Sequence, residues 1–273
     1  MYNLDGKNVF ITGAANGIGA SVVRDCLREG VKFIAFLDID ETAGKALEKE
    51  LQAQYGEAKV KFLKCDVSKE AQLFTAFDTV FKDHGYIDVV INNAGLADES
   101  TPRAIRTQIE VNYLALVNGT IKAIEFMHKN KGGHGGTVIN ISSIAALCQI
   151  SPALFVYFGT KSAVLQFSNC IGKEEYYTLT GVRVLTICFG ATETDILKQF
   201  NTFDDDANVI LKNLPSKYPM QTTEFAGKEL VEAFKKGETG STWLINNKPA
   251  QDITETIQKA YKMLSDLILP SFE

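Results

Sequence analysis

The chain has 273 residues, of which 45% are hydrophobic and 22% are charged, a balance that excludes a disordered chain. Its 33 acidic residues outnumber its 28 basic residues, which gives a net charge of −5. This charge disfavours nucleic acids and anionic membranes as partners, whereas it leaves a neutral or apolar small ligand open.

The cysteines and histidines do not form a pattern typical of disulfides or metal sites. The odd set of cysteines contains no CxxC pair, and the three histidines are too widely spaced to bind a metal: Cys26, Cys65, Cys148, Cys170, Cys188; His84, His128, His134. The N-terminal residues lack a basic and apolar leader pattern, and no run approaches ~20 apolar residues. We therefore expect a cytoplasmic protein with reduced thiols, no metal and no membrane span.

Short apolar runs alternate with segments of helical spacing along the chain. Six of these runs read as strands: Val9–Thr12, Phe33–Asp38, Val60–Lys64, Val89–Asn92, Thr137–Ile141 and Val182–Cys188. Each is too uniformly apolar for a strand with one wet face, which favours strands covered on both sides. A seventh run, Ser241–Ile245, is predicted at an edge. The pattern predicts one Rossmann-like α/β fold: a doubly wound parallel sheet of about seven strands with helices on both faces.

Between and after these strands, the spacing predicts helices and two special segments. The predicted helices include Glu41–Tyr55, Ser68–Asp83, Ala104–Lys129 and Phe155–Tyr177. We assign residues 1–250 to one dinucleotide-binding and catalytic domain, in which the polar segment of about 195–220 is a predicted substrate lid. Residues 251–273 form a C-terminal extension whose helix has an apolar face: Ile253, Ile257, Ala260, Leu264 and Leu267.

A glycine-rich turn, Thr12–Gly19, follows the first strand and opens a helix. Glycines let the backbone approach a pyrophosphate closely, and the N–H groups of a helix N-terminus attract that anion. The spacing is GxxxGxG rather than the GxGxxG of the standard dinucleotide fingerprint. The turn predicts a nucleotide site that includes Gly13, Asn16, Gly17, Ile18 and Gly19.

The end of the second strand favours one cofactor over another. Asp38 lies 19 residues after Gly19, where a carboxylate accepts hydrogen bonds from an adenosine ribose and repels a 2′-phosphate. Ile39 follows, where a phosphate-binding site would need Arg or Lys. Asp38 and Ile39 therefore favour NAD over NADP.

Polar residues also end the third and fourth strands, on the edge where parallel sheets bind ligands. They are Cys65, Asp66 and Val67 after one strand, and Asn92–Gly95 after the next. Asp66 can accept a hydrogen bond from an adenine amino group, or it can act as the N-cap of the helix that starts at Ser68. We count Cys65, Asp66, Val67, Asn93 and Gly95 among the cofactor residues.

Tyr157 and Lys161 are four residues apart on a predicted helix, so that their side chains share one face. A tyrosine titrates near ~10 and is a poor base at neutral pH unless a nearby cation favours the phenolate. Lys161 can supply that cation and hold a ribose. Ser142 and Ser143, at the end of the fifth strand, can bond a substrate oxygen.

Over residues 1–200 the chain resembles the short-chain dehydrogenase/reductase family. The motifs occur in the family order: TGxxxGxG at Thr12–Gly19, NNAG at Asn92–Gly95, Asn112, a serine after the fifth strand, and YxxxK at Tyr157–Lys161. Within the family, it is most similar to the NAD-dependent group that contains 15-hydroxyprostaglandin dehydrogenase and insect-type alcohol dehydrogenases. The stretches that carry this likeness are Phe36–Asp38, Asn112–Tyr113, Lys131–Gly136 and Gly240–Trp243.

The resemblance implies a role for each matching residue. Tyr157 would be the acid/base, and Lys161 would bind the ribose and depress the pKa of the tyrosine. Ser143 would bind the substrate oxygen, and Asn112 would hold a proton-relay water. Thr194 matches the threonine that binds the nicotinamide carboxamide, and Gly190 and Thr192 precede it in the same loop. The resemblance also implies a homodimer formed through the two long helices.

Three positions depart from the family pattern. Ser143 precedes Tyr157 by 14 residues, one more than usual, which leaves Ser142 as the alternative. Phe189 stands where the family has Pro before Gly190. Leu154, which we count with Ser143 and Tyr157 as a substrate residue, stands where prostaglandin dehydrogenases carry Gln.

These features favour an NAD-dependent oxidoreductase that oxidises a secondary or allylic alcohol, such as a hydroxylated lipid, terpenoid or steroid, to the carbonyl. The alternatives are a carbonyl reductase that runs in reverse and a catalytically idle NAD-binding interaction protein. An apolar substrate is suggested by residues that could equally belong to the core: Ile144, Leu147, Ile150, Leu154, Phe155, Phe189 and Ile196.

Overall fold

A central sheet of eight strands organises the protein. The computed structural model describes residues 1–149, 154–198, 200–212 and 219–268. Its strands are β1 Asn8–Thr12, β2 Phe33–Asp38, β3 Val60–Lys64, β4 Val89–Asn92, β5 Gly136–Ser143, β6 Val182–Phe189, β7 Thr242–Ile245 and β8 Gln251–Asp252. The spatial order is β3-β2-β1-β4-β5-β6-β7-β8. This crossover at β1 and β4 is the doubly wound arrangement that places ligands at the carboxyl ends of the strands.

The fold class is confirmed, but the sheet has eight strands rather than about seven. Neighbours from β3 to β7 are parallel, whereas β8 pairs antiparallel with β7 through Leu244 and Gln251. The strand β7 therefore does not form the edge that the sequence predicts. The strand β8 comprises two exposed polar residues, Gln251 and Asp252, so no apolar run announces it. It also ties the start of the C-terminal extension to the sheet.

Helices cover both faces of the sheet. They are α1 Gly17–Arg28, α2 Glu41–Tyr55, α3 Glu70–His84, α4 Pro102–Ile109, α5 Ala115–Met127, α6 Phe155–Ile171, α7 Glu174–Thr180, α8 Asp195–Lys198, α9 Asp205–Lys212, α10 Thr223–Lys236 and α11 Thr254–Ser265. Successive residues of β1 enter different apolar layers: Ile11 packs in the layer that contains α1 and α10, and Phe10 in the layer that contains α3 and α5. The uniformly apolar strands follow from this double cover.

Both long predicted helices are interrupted. Thr101 caps α4 by accepting a hydrogen bond from the Ala104 N–H at 3.1 Å, and Pro102 is its first residue. Between α4 and α5 the chain forms one π-helical turn, Glu110–Leu114, which a period of 3.6 residues does not reveal. The other helix stops at Gly172, where an added Cβ would lie 2.8 Å from the Cα of Gly240. This close backbone approach separates α6 from α7.

The helix α11 follows β8 and contains no buried residue. Ile253 and Ile257 are half-buried near its start, whereas Leu264 and Leu267 on the same predicted face are exposed. Among the described residues, no helix is both long and apolar enough to cross a membrane.

Candidate active site

A cavity of about 600 Å³ lies at the carboxyl ends of the parallel strands. All the residues predicted for the cofactor line it: Gly13, Asn16, Gly17, Ile18, Gly19, Asp38, Ile39, Cys65, Asp66, Val67, Asn93, Gly95, Tyr157, Lys161, Gly190, Thr192 and Thr194. Ser143 and Leu154 line it as well, whereas Asn112 does not. Segments from seven parts of the chain thus meet around one space of the size that ligand pockets commonly have.

The glycine-rich turn at the N-terminus of α1 has little room for side chains. Gly13 and Gly17 have left-handed backbones with φ of +63° and +56°, which glycine adopts without a steric cost. A Cβ on Gly13 would lie 2.6 Å from the Cα of Ala94. The side chain of the N-cap Asn16 accepts no hydrogen bond from the first turn of α1. The backbone N–H groups of that turn are therefore left available to a ligand in the cavity. This cradle fits a pyrophosphate.

Asp38 is half-buried beside this turn and fixes its geometry. One carboxylate oxygen accepts the Ala15 N–H at 2.9 Å and the other accepts the Asp40 N–H at 3.0 Å. The sequence showed no basic residue next to Asp38, but the sheet register brings Lys64 opposite it. Lys64 donates to Glu41 at 2.9 Å, and hydrogen bonds from Lys45 and Lys64 lower the pKa of Glu41 to about 2. The nearby cation is therefore already paired with a carboxylate.

Two predicted cofactor residues also hold the backbone. Asp66 accepts hydrogen bonds from the N–H and hydroxyl of Ser68, but α3 begins only at Glu70 with Lys69 as its N-cap. The alternative of Asp66 as the helix N-cap is therefore wrong. Asn93 donates its amide hydrogens to the carbonyls of Thr12 and Gly13, at 3.0 and 2.7 Å. It locks the glycine-rich turn to the end of β4.

Tyr157 and Ser143 lie together where β5 meets α6. The Ser143 hydroxyl donates to the Phe189 carbonyl at 3.5 Å and accepts the Ala145 N–H at 3.1 Å, and it lies near enough to the Tyr157 phenol to lower the pKa of that phenol by hydrogen bonding. Ser142 instead donates to the carbonyl oxygen of Lys161 at 2.8 Å. The structure thus selects Ser143 over Ser142 as the partner of the phenol.

Lys161 lies beneath the tyrosine ring, with its Nζ 5.7 Å from the ring centroid. The side chain is only 4% exposed, and Nζ donates to the carbonyl oxygen of Ile141 at 3.0 Å. Burial lowers the pKa of Lys161 to about 8. Burial also raises the pKa of Tyr157, and the hydrogen bond from Ser143 offsets part of that rise. In the protein chain alone, the phenol is therefore protonated at neutral pH.

Asn112 sits in the π-helical turn and is fully buried behind the cavity wall. Its side-chain oxygen accepts the Leu96 N–H at 2.8 Å, and its amide donates to the Leu96 carbonyl at 2.8 Å and to Thr160 at 3.3 Å. Through these bonds it connects the loop after β4 to α6, one residue before Lys161. Functional sites often use π-helical turns in this way.

The end of the cavity beyond Tyr157 is apolar. Of the apolar residues predicted to surround the substrate, Ile144, Leu154, Phe189 and Ile196 line the cavity, Leu147 and Phe155 do not, and Ile150 lies outside the described residues. Leu154 and Leu211 form a small buried cluster against Tyr157, Phe158 and Phe200. The predicted lid segment, about 195–220, contains the helices α8 and α9. Its residues 199 and 213–218 lie outside the described chain. No described residue of the C-terminal extension lines the cavity.

One buried group next to Tyr157 belongs to no sequence motif. Glu99 is 0% exposed and accepts the backbone N–H of Tyr157 at 2.7 Å. Its partner Gln108 is equally buried and donates to the same carboxylate oxygen at 3.3 Å. A glutamate in a polar loop is expected to be solvent-exposed, so no pattern in the sequence predicts this contact.

Comparison with known proteins agrees with this geometry. Residues 7–205 match the family described as short chain dehydrogenase. The chain belongs to this family. It is 30% identical over 259 residues to alcohol dehydrogenase 2 of Ceratitis cosyra, covering 93% of this chain and 96% of that protein. It is 32% identical over 196 residues to the NAD(+) 15-hydroxyprostaglandin dehydrogenase of Rattus norvegicus, covering 72% of each.

Solved structures place this short-chain dehydrogenase in the same fold. It superposes on the 3-ketoacyl-(acyl-carrier-protein) reductase of Brucella melitensis, solved with NADH, with a TM-score of 0.74. The match covers 90% of this chain and 99% of that one at 22% identity. The resemblance stated from the motifs is therefore confirmed at the level of family and fold.

Proposed function

We propose that this short-chain dehydrogenase uses NAD to oxidise a secondary or allylic alcohol to the carbonyl. The observation that carries the proposal is that Ser143, Tyr157 and the buried Lys161 meet in one cavity, which is continuous with the glycine-rich turn. NAD, when bound, supplies the hydride acceptor. The open N-terminus of α1 and the Asp38 carboxylate fit its pyrophosphate and its adenosine ribose, respectively.

Each polar residue of the site has a task in this reaction. Tyr157 accepts the proton of the alcohol as the hydride leaves the carbon, and Ser143 orients the reacting oxygen. Lys161 binds the nicotinamide ribose and, as a buried cation, favours the phenolate over the phenol. Asn112 holds the loop after β4 and α6 in register through its bonds to Leu96 and Thr160, and the family resemblance implies that it also holds a proton-relay water. The same residues run carbonyl reduction in the reverse direction.

The apolar end of the cavity supports a neutral, largely hydrocarbon substrate. Among the described lining residues, Lys161 carries the only positive charge, and the cofactor ribose would engage it. A substrate carboxylate would find no cation there, and burying an unpaired charge is costly. Phe200 and Leu211 of the lid segment, about 195–220, pack beside Leu154 and are placed to exclude water from the hydride transfer.

The proposal is tested by incubating the protein with NAD and a panel of secondary alcohols, and by following NADH absorbance. The panel should contain small alcohols, cyclohexanol and hydroxylated lipids, terpenoids and steroids, with matched hydroxy acids as controls. We expect turnover of the neutral alcohols to exceed that of the acids. NADH binding without turnover of any alcohol or carbonyl would favour the idle NAD-binding alternative.

Asp38 should set the preference for NAD over NADP. Substituting Asp38→Ala removes the ribose hydrogen bonds and the repulsion of a 2′-phosphate, and it also frees the Ala15 N–H. We expect kcat/KM with NAD to fall about 10-fold while that with NADP rises or stays level, since charge-assisted hydrogen bonds contribute ~1.5–3 kcal/mol. Glu57→Ala, which removes an exposed carboxylate that does not line the cavity, is the control. Equal kcat/KM for both cofactors in the unsubstituted protein would contradict the assignment.

We also propose a homodimer formed through α5 and α6. Large apolar side chains remain exposed on and before α5, including Ile121 at 54% and Leu114 at 50%. Exposed apolar clusters of this kind commonly mark subunit interfaces. Light scattering at micromolar concentration should give about twice the 30.0 kDa of the chain, and Ile121→Lys should halve that mass. A mass of one chain in the unsubstituted protein would reject the dimer.

We also propose a cytoplasmic location, which the chemistry of the thiols favours. All five cysteines are unpaired, and Cys26, Cys65 and Cys188 are buried. Free thiols in this number are typical of a reducing compartment. Cell fractionation should recover the protein in the cytosolic fraction.

A further inference from the structure

The N-terminus of α6 carries Tyr157 as its third residue and lacks a cap of its own. Its N-cap is Leu154, whose hydrocarbon side chain cannot accept a hydrogen bond and whose backbone is left-handed at φ +58°. Helices usually satisfy their first N–H groups with a Ser, Thr, Asp or Asn at this position. The Tyr157 N–H would therefore be an unsatisfied donor without help from another part of the fold.

Glu99 supplies this cap from 58 residues away in the chain. Its carboxylate oxygen Oε1 accepts the Tyr157 N–H at 2.7 Å, which is the short distance of a charge-assisted bond. Gln108 donates to the same oxygen and accepts the Asp98 N–H at 2.8 Å. Its side chain therefore links the carboxylate to the backbone of the loop that carries it. Since this bond fixes the backbone of Tyr157 itself, it also sets the direction of the phenol.

Keeping a carboxylate in this place is costly. Glu99 is fully buried, and its second oxygen, Oε2, has no hydrogen-bond partner in the part of the chain that the structure describes. An unpartnered buried acceptor costs ~1–3 kcal/mol, and more when it is charged. The positive end of the α6 dipole offsets only part of this cost. A cost of this kind beside a reacting group points to a role in function.

The backbone of Glu99 reaches the lid segment at the same time. Its N–H donates to the carbonyl of Asn201 at 2.8 Å, and Asp98 and Asn201 form a parallel β-bridge. The neighbouring Phe200 ring lies 6.4 Å from the Tyr157 ring. One residue therefore contacts the acid/base through its side chain and the lid through its main chain.

We propose that Glu99 is the positioning residue for Tyr157. Its side chain holds the first turn of α6 so that the phenol stays in reach of Ser143, and its main chain seats the lid independently of the side chain. The inference rests on the proposed role of Tyr157. Misplacing a reacting group by ~1 Å can cost ~100-fold in rate, so a change in the reach of Glu99 should affect kcat.

Two substitutions of Glu99 distinguish the effect of side-chain length from the effect of charge. Glu99→Asp keeps the charge but shortens the side chain by one C–C bond of ~1.5 Å, which takes it out of bonding distance of the Tyr157 N–H. Glu99→Gln keeps the length and an acceptor oxygen but loses the charge. With NAD and cyclohexanol as the probe, we expect kcat to fall about 10- to 100-fold in Glu99→Asp and less than about 5-fold in Glu99→Gln. KM should change less than about 3-fold in both, because the main-chain bond to Asn201 remains.

Glu229→Asp is the matched control, because Glu229 is also buried and also accepts a backbone N–H, that of Ala250 at 2.6 Å, outside the cavity. We expect it to lower the urea midpoint about as much as Glu99→Asp without lowering kcat. NADH fluorescence titration should show unchanged affinity in all three variants. The inference is overturned if Glu99→Asp retains full kcat, if Glu99→Gln is the more damaging change, or if Glu229→Asp lowers kcat equally.

A second control keeps this inference distinct from the proposed function. If Tyr157→Phe is inactive while Glu99→Asp is fully active, the positioning role fails and the acid/base role stands. If Tyr157→Phe is itself active, the acid/base role fails first. Should Glu99→Asp not fold, a kcat for Glu99→Gln reduced more than 10-fold with normal NADH binding would still overturn the inference.

Discussion

Tyr157→Phe should lower kcat by ~10²–10⁴-fold, the range that a positioned acid or base contributes. The substitution removes one oxygen, and Ser143 is the one side chain of the described residues that lowers the pKa of this phenol by hydrogen bonding. The ring keeps its contacts with Phe158 and Phe200, so the wall of the cavity stays intact. NADH affinity should change less than about 3-fold, because the pyrophosphate and adenosine ribose are held elsewhere. Stopped-flow turnover and NADH fluorescence titration measure the two quantities.

A second tyrosine provides the control for this measurement. The Tyr86 hydroxyl donates to the Gly135 carbonyl at 2.6 Å, at the amino-terminal end of β5 and away from the cavity. Tyr86→Phe removes a phenol oxygen together with two hydrogen bonds, since this oxygen also accepts the His134 N–H at 3.0 Å, and it should retain full kcat. If Tyr157→Phe kept more than about a tenth of the activity, the acid/base scheme would have to be abandoned.

Lys161→Met should abolish most activity and yet stabilise the protein. We expect kcat/KM to fall at least about 100-fold, because the cation that favours the phenolate and binds the ribose is lost. NADH affinity should fall as well, which distinguishes this variant from Tyr157→Phe. The ammonium is buried, and no salt bridge to it occurs among the described residues, so an apolar side chain of similar length avoids its desolvation.

The pH dependence of this stability effect has a definite sign. Burial lowers the pKa of Lys161 from 10.5 to about 8, which corresponds to about 3 kcal/mol against the folded state wherever the amine is charged. Losing the hydrogen bond from Lys161 to Ile141 costs the variant ~1 kcal/mol. Lys161→Met should therefore be more stable than the unsubstituted protein by about 2 kcal/mol at pH 7. This advantage is full below pH ~8 and vanishes towards pH ~10.5, because the unfolded lysine binds the proton over that interval.

Urea unfolding of the chain without NAD, at one protein concentration and several pH values, measures this difference. Lys122→Met is the control: its side chain is also mostly covered, but it pairs with Asp78 and Glu125 at the surface. We expect Lys122→Met to show no gain at pH 7 and no such pH dependence. The measured quantity is the difference in unfolding free energy between Lys161→Met and the unsubstituted protein. A gain that is smaller at pH 7 than at pH 10 would contradict the pKa shift.

The fold class and the positions of the strand-end residues around the cavity follow from local patterns in the sequence. Uniformly apolar runs require strands that are covered on both faces, and parallel strands end on one edge of their sheet. Gly13, Asp38, Asp66 and Asn93 each follow such a run within a few residues, so their meeting at the cavity follows from chain-local signals. The four-residue spacing of Tyr157 and Lys161 is also a local signal, because helical geometry alone places both side chains on one face.

Local patterns carry no signal for the features that depend on which side of an element is covered and on which other element covers it. Ser142 and Ser143 are adjacent on β5, and the packing of α6 engages the Ser142 hydroxyl with the Lys161 carbonyl, which leaves Ser143 for the phenol. The strand β8 exists because β7 offers it an open edge, not because its two polar residues favour a strand. Glu99 is buried because the loop after β4 and the start of α6 enclose it, and a contact across 58 residues leaves no period in the sequence. Periodicity encodes which residues share a surface of one element, whereas the partner of that surface is fixed by close packing of the whole chain.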